Sequence, residues 1–145
     1  MTVRSQFLDH LQLHCEDSGF QAPESLIYYL ADLLAERLDR TEIIPQPSFA
    51  ERYLELYNCY RLNDFKDYAD SALFFVSLLP EYGRRRGLDL DYYATLGIST
   101  YYTLADLSHD QRYTQLGNWF YYLQRFLNSA LHPRDHLNLY TWDKY

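Results

Sequence analysis

The chain has 145 residues, 48% hydrophobic and 23% charged, with a formal net charge of −7. That length predicts one domain with room for a real core, spanning residues 1–145. The acidic balance argues against generic binding to a nucleic-acid backbone or an anionic membrane, both of which call for a positive surface. No apolar run approaches the ~20 residues of a membrane helix, and the charged stretch Met1 to Asp17 does not read as a secretory signal. Cys15 and Cys59 have no metal-like spacing. The expectation is a reduced cytoplasmic protein with no cofactor.

Sixteen tyrosines and eight phenylalanines depart from ordinary usage. Tyrosine brings bulk to a core and a hydroxyl that still needs a partner. The chain therefore either buries many hydroxyls at hydrogen-bonded edges or shows a tyrosine-rich surface, and the second outcome favours a protein partner.

Helical periodicity dominates, which makes the fold class all-α: a single-domain bundle of five or six helices. The first helix is predicted over about Thr2 to Asp17, with Val3, Phe7, Leu11 and His14 on one stripe and Gly19 as its stop. The second has Pro23 in its first turn and runs to about Leu38, with Leu26, Ile27, Leu30, Leu33 and Leu34 on its apolar face. Pro45 and Pro47 then make 41–47 an extended link. Ser48 and Glu51 fit a capping box that opens a third helix.

Asn63 or Asp64 is positioned to cap the fourth helix, which presents Phe65, Tyr68, Ala69, Ala72, Leu73 and Val76 and ends near Pro80. Asp89 or Asp91 starts the fifth. Fourteen residues from Tyr92 to Ala105 carry no charge, and the apolar side chains lie nearly all round, so this helix is expected at the centre. Gly97 is expected to let a neighbour come close. Ser108 and Gln111 read as a second capping box, opening a sixth helix that runs to Leu131. Pro133 stops it, and the apolar content of 132–145 predicts a docked tail.

Three groups of residues are candidates for binding. Arg84, Arg85 and Arg86, between Gly83 and Gly87, make a basic turn on an acidic chain. Three guanidinium groups suit a phosphate, a carboxylate or an acidic partner segment. The simpler reading is a solvated turn paired with Glu81, Asp89 and Asp91. Tyr140 and Trp142 in the tail are a second candidate partner surface. Tyr92, Tyr93, Tyr101 and Tyr102 are candidates to line a pocket between core helices, with a histidine helping to orient a ligand.

Other constellations carry less. His10 and His14 share a helical face, but Cys15 points about 100° away from His14, so a metal set is incomplete. His109 reads as a surface residue in the first turn of the sixth helix, and His132 and His136 as a helix-end pair. The Glu-x-x-His pairs of a di-iron bundle are missing. So are a phosphate loop, a nucleophile elbow and a paired-cysteine zinc signature. A helix-turn-helix reader would want a basic recognition helix, and the candidate here is rich in tyrosine instead.

The segment Asp70 to Ala105 holds Leu79-Pro80-Glu81, Arg86-Gly87, Tyr92-Tyr93 and Leu96-Gly97. It resembles an uncharacterised family of small all-helical bacterial proteins. The resemblance implies a bacterial origin and brings no activity or site residue with it. Three functions follow from the residues themselves. The first is a non-enzymatic interaction module, an adaptor or regulatory subunit, with a protein partner or a second copy of itself. The second is a small-molecule binder or enzyme with a tyrosine-lined pocket. The third is an acidic inhibitor that occupies the nucleic-acid-binding surface of another protein.

Overall fold

A computed structural model describes residues 2–38 and 49–131. These are all-helical and form seven helices, where the sequence reads as five or six. α1 (Val3–Ser18) opens on a reciprocal cap in which the Thr2 and Ser5 side chains satisfy each other's backbone N–H, and it closes at Gly19. α2 (Glu24–Leu38) packs back on α1 as a hairpin. α3 (Phe49–Cys59) is peripheral and touches α4 and α6. The link 41–47, Ser48, and the tail with His132, His136, Tyr140 and Trp142 lie outside the described residues.

The centre is α4 (Leu62–Leu78) packed on α6 (Leu90–Ser108), with α7 (Gln111–Leu131) against both. Every residue of α4 from Ala72 to Ser77 is buried. Gly97 explains how closely the three helices meet. A Cβ placed there would stand 2.8 Å from the Ala72 Cβ on α4 and 3.0 Å from the Phe120 ring on α7. The missing side chain is what admits both neighbours.

The additional helix is α5 (Pro80–Arg85), where the sequence reads as a turn. Proline is well suited to the first position of a helix, because that N–H has no intrahelical partner anyway. Pro80 therefore starts a new short helix rather than merely ending α4, and Gly83 is buried inside it against Leu90 and Phe75. Two expected caps also differ. Arg61, not Asn63 or Asp64, occupies the N-cap of α4 and makes no side-chain cap bond. Ser108 still belongs to α6, where its hydroxyl donates to the Leu104 carbonyl. Asp110 takes over at α7 by accepting from the Arg112 N–H at 3.0 Å. His109 accordingly ends α6 in the left-handed region, φ 59°, instead of opening α7. Among the described residues, no helix is long and apolar enough to cross a membrane.

Candidate functional site

Two regions hold the unusual chemistry. The first is buried, at Asp70 on α4. Its carboxylate is wholly inside the protein. One oxygen, Oδ1, accepts from the Tyr29 hydroxyl of α2 at 2.7 Å and from the Tyr101 hydroxyl of α6 at 2.6 Å. The other, Oδ2, accepts from the Lys66 ammonium at 3.0 Å, one turn back along α4. A buried carboxylate is tolerable only when paired and hydrogen-bonded in this way. Burial first, then the Asp70 charge, pushes the Tyr29 and Tyr101 hydroxyls well above the ordinary phenol range. Both stay protonated and act as donors. Burial alone would lower the Lys66 ammonium, but Asp70 and Glu36 outweigh it and the net shift is upward.

The surroundings extend the network. Lys66 also reaches Glu36 of α2 at 3.6 Å, and its ammonium lies 5.4 Å from the Tyr29 ring centre. Tyr113 of α7 meets Tyr29 edge-on and stacks on Tyr101. Two turns further along α2, Arg37 is 2% exposed and donates to the Asp67 carbonyl, the Asp67 carboxylate and the Ser71 hydroxyl. Beside the Lys66 end of the network lies a cleft of about 100 Å³, lined by Tyr29, Glu36, Lys66 and Tyr113 among others. Both oxygens of the Asp70 carboxylate are engaged, and neither reaches solvent. Its hydrogen bonds tie α4 to α2 through Tyr29 and to α6 through Tyr101.

The second region is the outer face of α6 and α7. α6 is central, yet it is not covered all round: Tyr92, Thr95 and Tyr102 are exposed, and Ile98, Ser99 and Thr103 are half-buried. Thr95, Ile98, Ser99, Tyr102, Thr103 and Asp106 border a shallow groove of about 350 Å³. On one side, Tyr53 and Tyr57 of α3 bond the Ser99 and Thr103 hydroxyls at 2.8 and 3.0 Å. On the other, the Tyr102 hydroxyl donates to Asn118 of α7 at 2.6 Å, and its ring lies directly over Gly117. Gly97 meets Phe120 in the same interface, so α6 and α7 run antiparallel. Tyr121, one turn past Gly117 on the same stripe of α7 and 48% exposed, therefore comes level with Ile98. α7 contributes a second charge-free run, Tyr113 to Gln124.

The structure places the four candidate pocket tyrosines in two different settings. Tyr93 and Tyr101 are in the core, whereas Tyr92 and Tyr102 are on the surface. Tyr93 packs edge-on against Phe49 and Phe75, and Tyr101 serves Asp70. The arginines Arg84, Arg85 and Arg86 are all exposed. Arg84 pairs with Glu81, Arg86 lies 3.6 Å over the Tyr82 ring, and Asp89 caps α6 by accepting from the Tyr92 N–H. His10 and His14 both reach α7, through the Ala130 carbonyl and the Ser129 hydroxyl. Among the described residues no three His, Cys, Asp or Glu side chains gather as metal ligands. Cys15 is half-buried, and burial raises its thiol pKa.

The Asp70 centre is absent from the expectations drawn from sequence. A signal for it was there: Asp70 interrupts the apolar stripe between Ala69 and Ala72, and it immediately precedes the charge-free run from Ser71 to Pro80. The chain matches no protein-family model, no curated protein and no solved structure.

Proposed function

We propose that the chain is a non-enzymatic interaction module, an adaptor or regulatory subunit, that docks a protein partner on the outer face of α6 and α7. One observation carries the reading. The solvent-facing side of two core helices is charge-free over Tyr92 to Ala105 and Tyr113 to Gln124, in a chain that is 23% charged and carries a net −7. Exposed helix faces in soluble proteins are normally charged. Loss of charge with exposed tyrosine retained is the composition of an interface centre. The buried polar chemistry points the same way, since Asp70 and its donors satisfy one another inside the core.

The test is affinity capture from the native cell with wild type and with Tyr102→Glu/Tyr121→Glu. Loss of one discrete partner in the double variant is the expected result. Equal recovery of every captured protein by both sinks the reading. Arg84, Arg85 and Arg86 changed together to Ala serve as the comparison, and on this reading they leave recovery unchanged.

A second reading, a small-molecule binder, draws on a different place. A cavity of about 230 Å³ between the end of α1 and α7 is lined by His14, Phe20, Tyr122, Arg125 and Phe126. Phe20 and Phe126 stack at 4.5 Å within it. A fragment screen monitored at the His14 imidazole by NMR checks this, and a resonance unmoved by every fragment sets it aside.

A further inference from the structure

We infer that the occupant of the α6–α7 face is a single amphipathic helix from another protein, with an uncharged stripe about four turns long and a Lys or Arg at each end. This deepens the interaction reading above and rests on it. The uncharged run on α6 is bounded by two exposed acids, Asp91 and Asp106. Among the described residues neither is in an ion pair, whereas Asp32, Asp67, Glu81 and Asp110 each pair with an arginine. The two acids are fifteen residues apart (106 − 91), which is about 22 Å at 1.5 Å per helical residue. A partner that buries the uncharged stretch brings its own ends beside those acids, where basic residues are attracted and acidic ones repelled.

The shape selects a helix over an extended peptide. A helical surface offers no open backbone donors or acceptors, so an extended chain laid along it would leave its own amides unpaired. A helix satisfies them internally and sets its ridge into the groove. The groove suits a ridge: Thr95, Ile98, Ser99 and Thr103 line it with small or medium side chains, beside exposed Tyr102. A second copy of this chain is disfavoured by charge. It brings the same two acids and another net −7, and an antiparallel pairing of α6 with α6 sets Asp91 against Asp106.

The test places a photo-crosslinking phenylalanine analogue at Ile98, at Tyr121 and, as a remote control, at exposed Leu13 of α1, in full-length protein in its native cell. Crosslinked peptides are sequenced by mass spectrometry. The expected product from Ile98 and Tyr121 is one peptide with an uncharged helical stripe flanked by Lys or Arg. Its yield falls about tenfold or more with Asp91→Lys/Asp106→Lys, and by less with the milder Asp91→Asn/Asp106→Asn. Helix content by circular dichroism confirms that each variant is folded. A crosslink to a second copy, a crosslinked acidic segment, or a yield indifferent to both charge variants overturns the inference. A partner crosslinked from Leu13 alone overturns it while leaving an interaction module standing. No crosslink from any position overturns both.

Discussion

The Asp70 centre and the outer face of α6 use tyrosine in opposite ways. At Asp70, the hydroxyls of Tyr29 and Tyr101 converge on one carboxylate, and the rings fill the core around it. On the outer face, Tyr102 and Tyr121 keep their rings at the surface, and the Tyr102 hydroxyl goes to a neighbouring side chain, Asn118. The two regions share a helix, with Tyr101 and Tyr102 adjacent in sequence. Adjacent helical positions point about 100° apart. One tyrosine of the doublet therefore serves stability, and the next is available to a partner. The lesson is that a high tyrosine count has no single meaning, because the hydroxyl's partner decides the role.

Asp70→Ala is expected to have the largest effect on the buried centre. It strands two buried hydroxyls and a half-buried ammonium, and removing one member of a buried charged network costs about 3–5 kcal/mol. The midpoint of urea unfolding is expected to drop accordingly. A loss below about 1 kcal/mol, the size of a single ordinary hydrogen bond, would show that the centre is not what holds α2, α4 and α6 together.

Alkali probes the same centre from the donor side. The Tyr29 and Tyr101 hydroxyls have folded-state pKa values raised above the ordinary phenol value. Below that ordinary value, near about 10, both states are protonated and the stabilisation is fully present. Above it, the unfolded chain releases protons that the folded chain retains, so stability falls by about 1.4 kcal/mol per pH unit for each such phenol. Unfolding curves measured through the alkaline range should show this slope. Tyr29→Phe/Tyr101→Phe should make it shallower without abolishing it, because burial also raises the Tyr68, Tyr93 and Tyr113 hydroxyls, and should lower stability at neutral pH. An unchanged slope in that variant would assign the alkaline loss elsewhere.

Gly97→Ala tests the packing that brings the two regions onto one helix. The new methyl meets the Ala72 Cβ, which cannot swing away, as well as the Phe120 ring. Overpacking of this kind costs about 1–3 kcal/mol, partly offset by the roughly 1 kcal/mol that alanine gains over glycine in a helix. A net loss of Tm is expected, and a rise in Tm would mean that α4 and α6 have slack where the contacts are closest.

Much of this architecture was legible in the sequence. The charge-free run from Tyr92 to Ala105 marked α6 as central, and Gly97 marked the close approach of a neighbour. α5 was not legible, because glycine and three arginines resemble a turn, and only the burial of Gly83 against Phe75 and Leu90 makes a short helix worthwhile. The Asp70 centre was hidden because its partners come from 41 and 31 residues away. Local patterning marks Asp70 as a charge within an apolar stripe, but it carries no record of which distant residues converge on it. The outer face was hidden for a different reason. A run without charge reads alike whether it is covered by its own chain or by another, since cores and interface centres are both depleted in charge.

The smallest expected effect on stability separates those two meanings. Tyr121 is 48% exposed and meets the core ring of Phe120 edge-on. Tyr121→Ser should therefore change the unfolding free energy by no more than about 0.5 kcal/mol, the usual range for a surface substitution. If the uncharged face exists to bind a partner, the same variant should weaken capture of that partner far more than it weakens the fold, because exposed tyrosines at an interface centre are among the side chains whose truncation costs most. Equal, small effects on both would make Tyr121 an ordinary surface residue. A large loss of stability with unchanged capture would reverse the comparison, placing Tyr121 with Tyr101 among the residues that hold the fold.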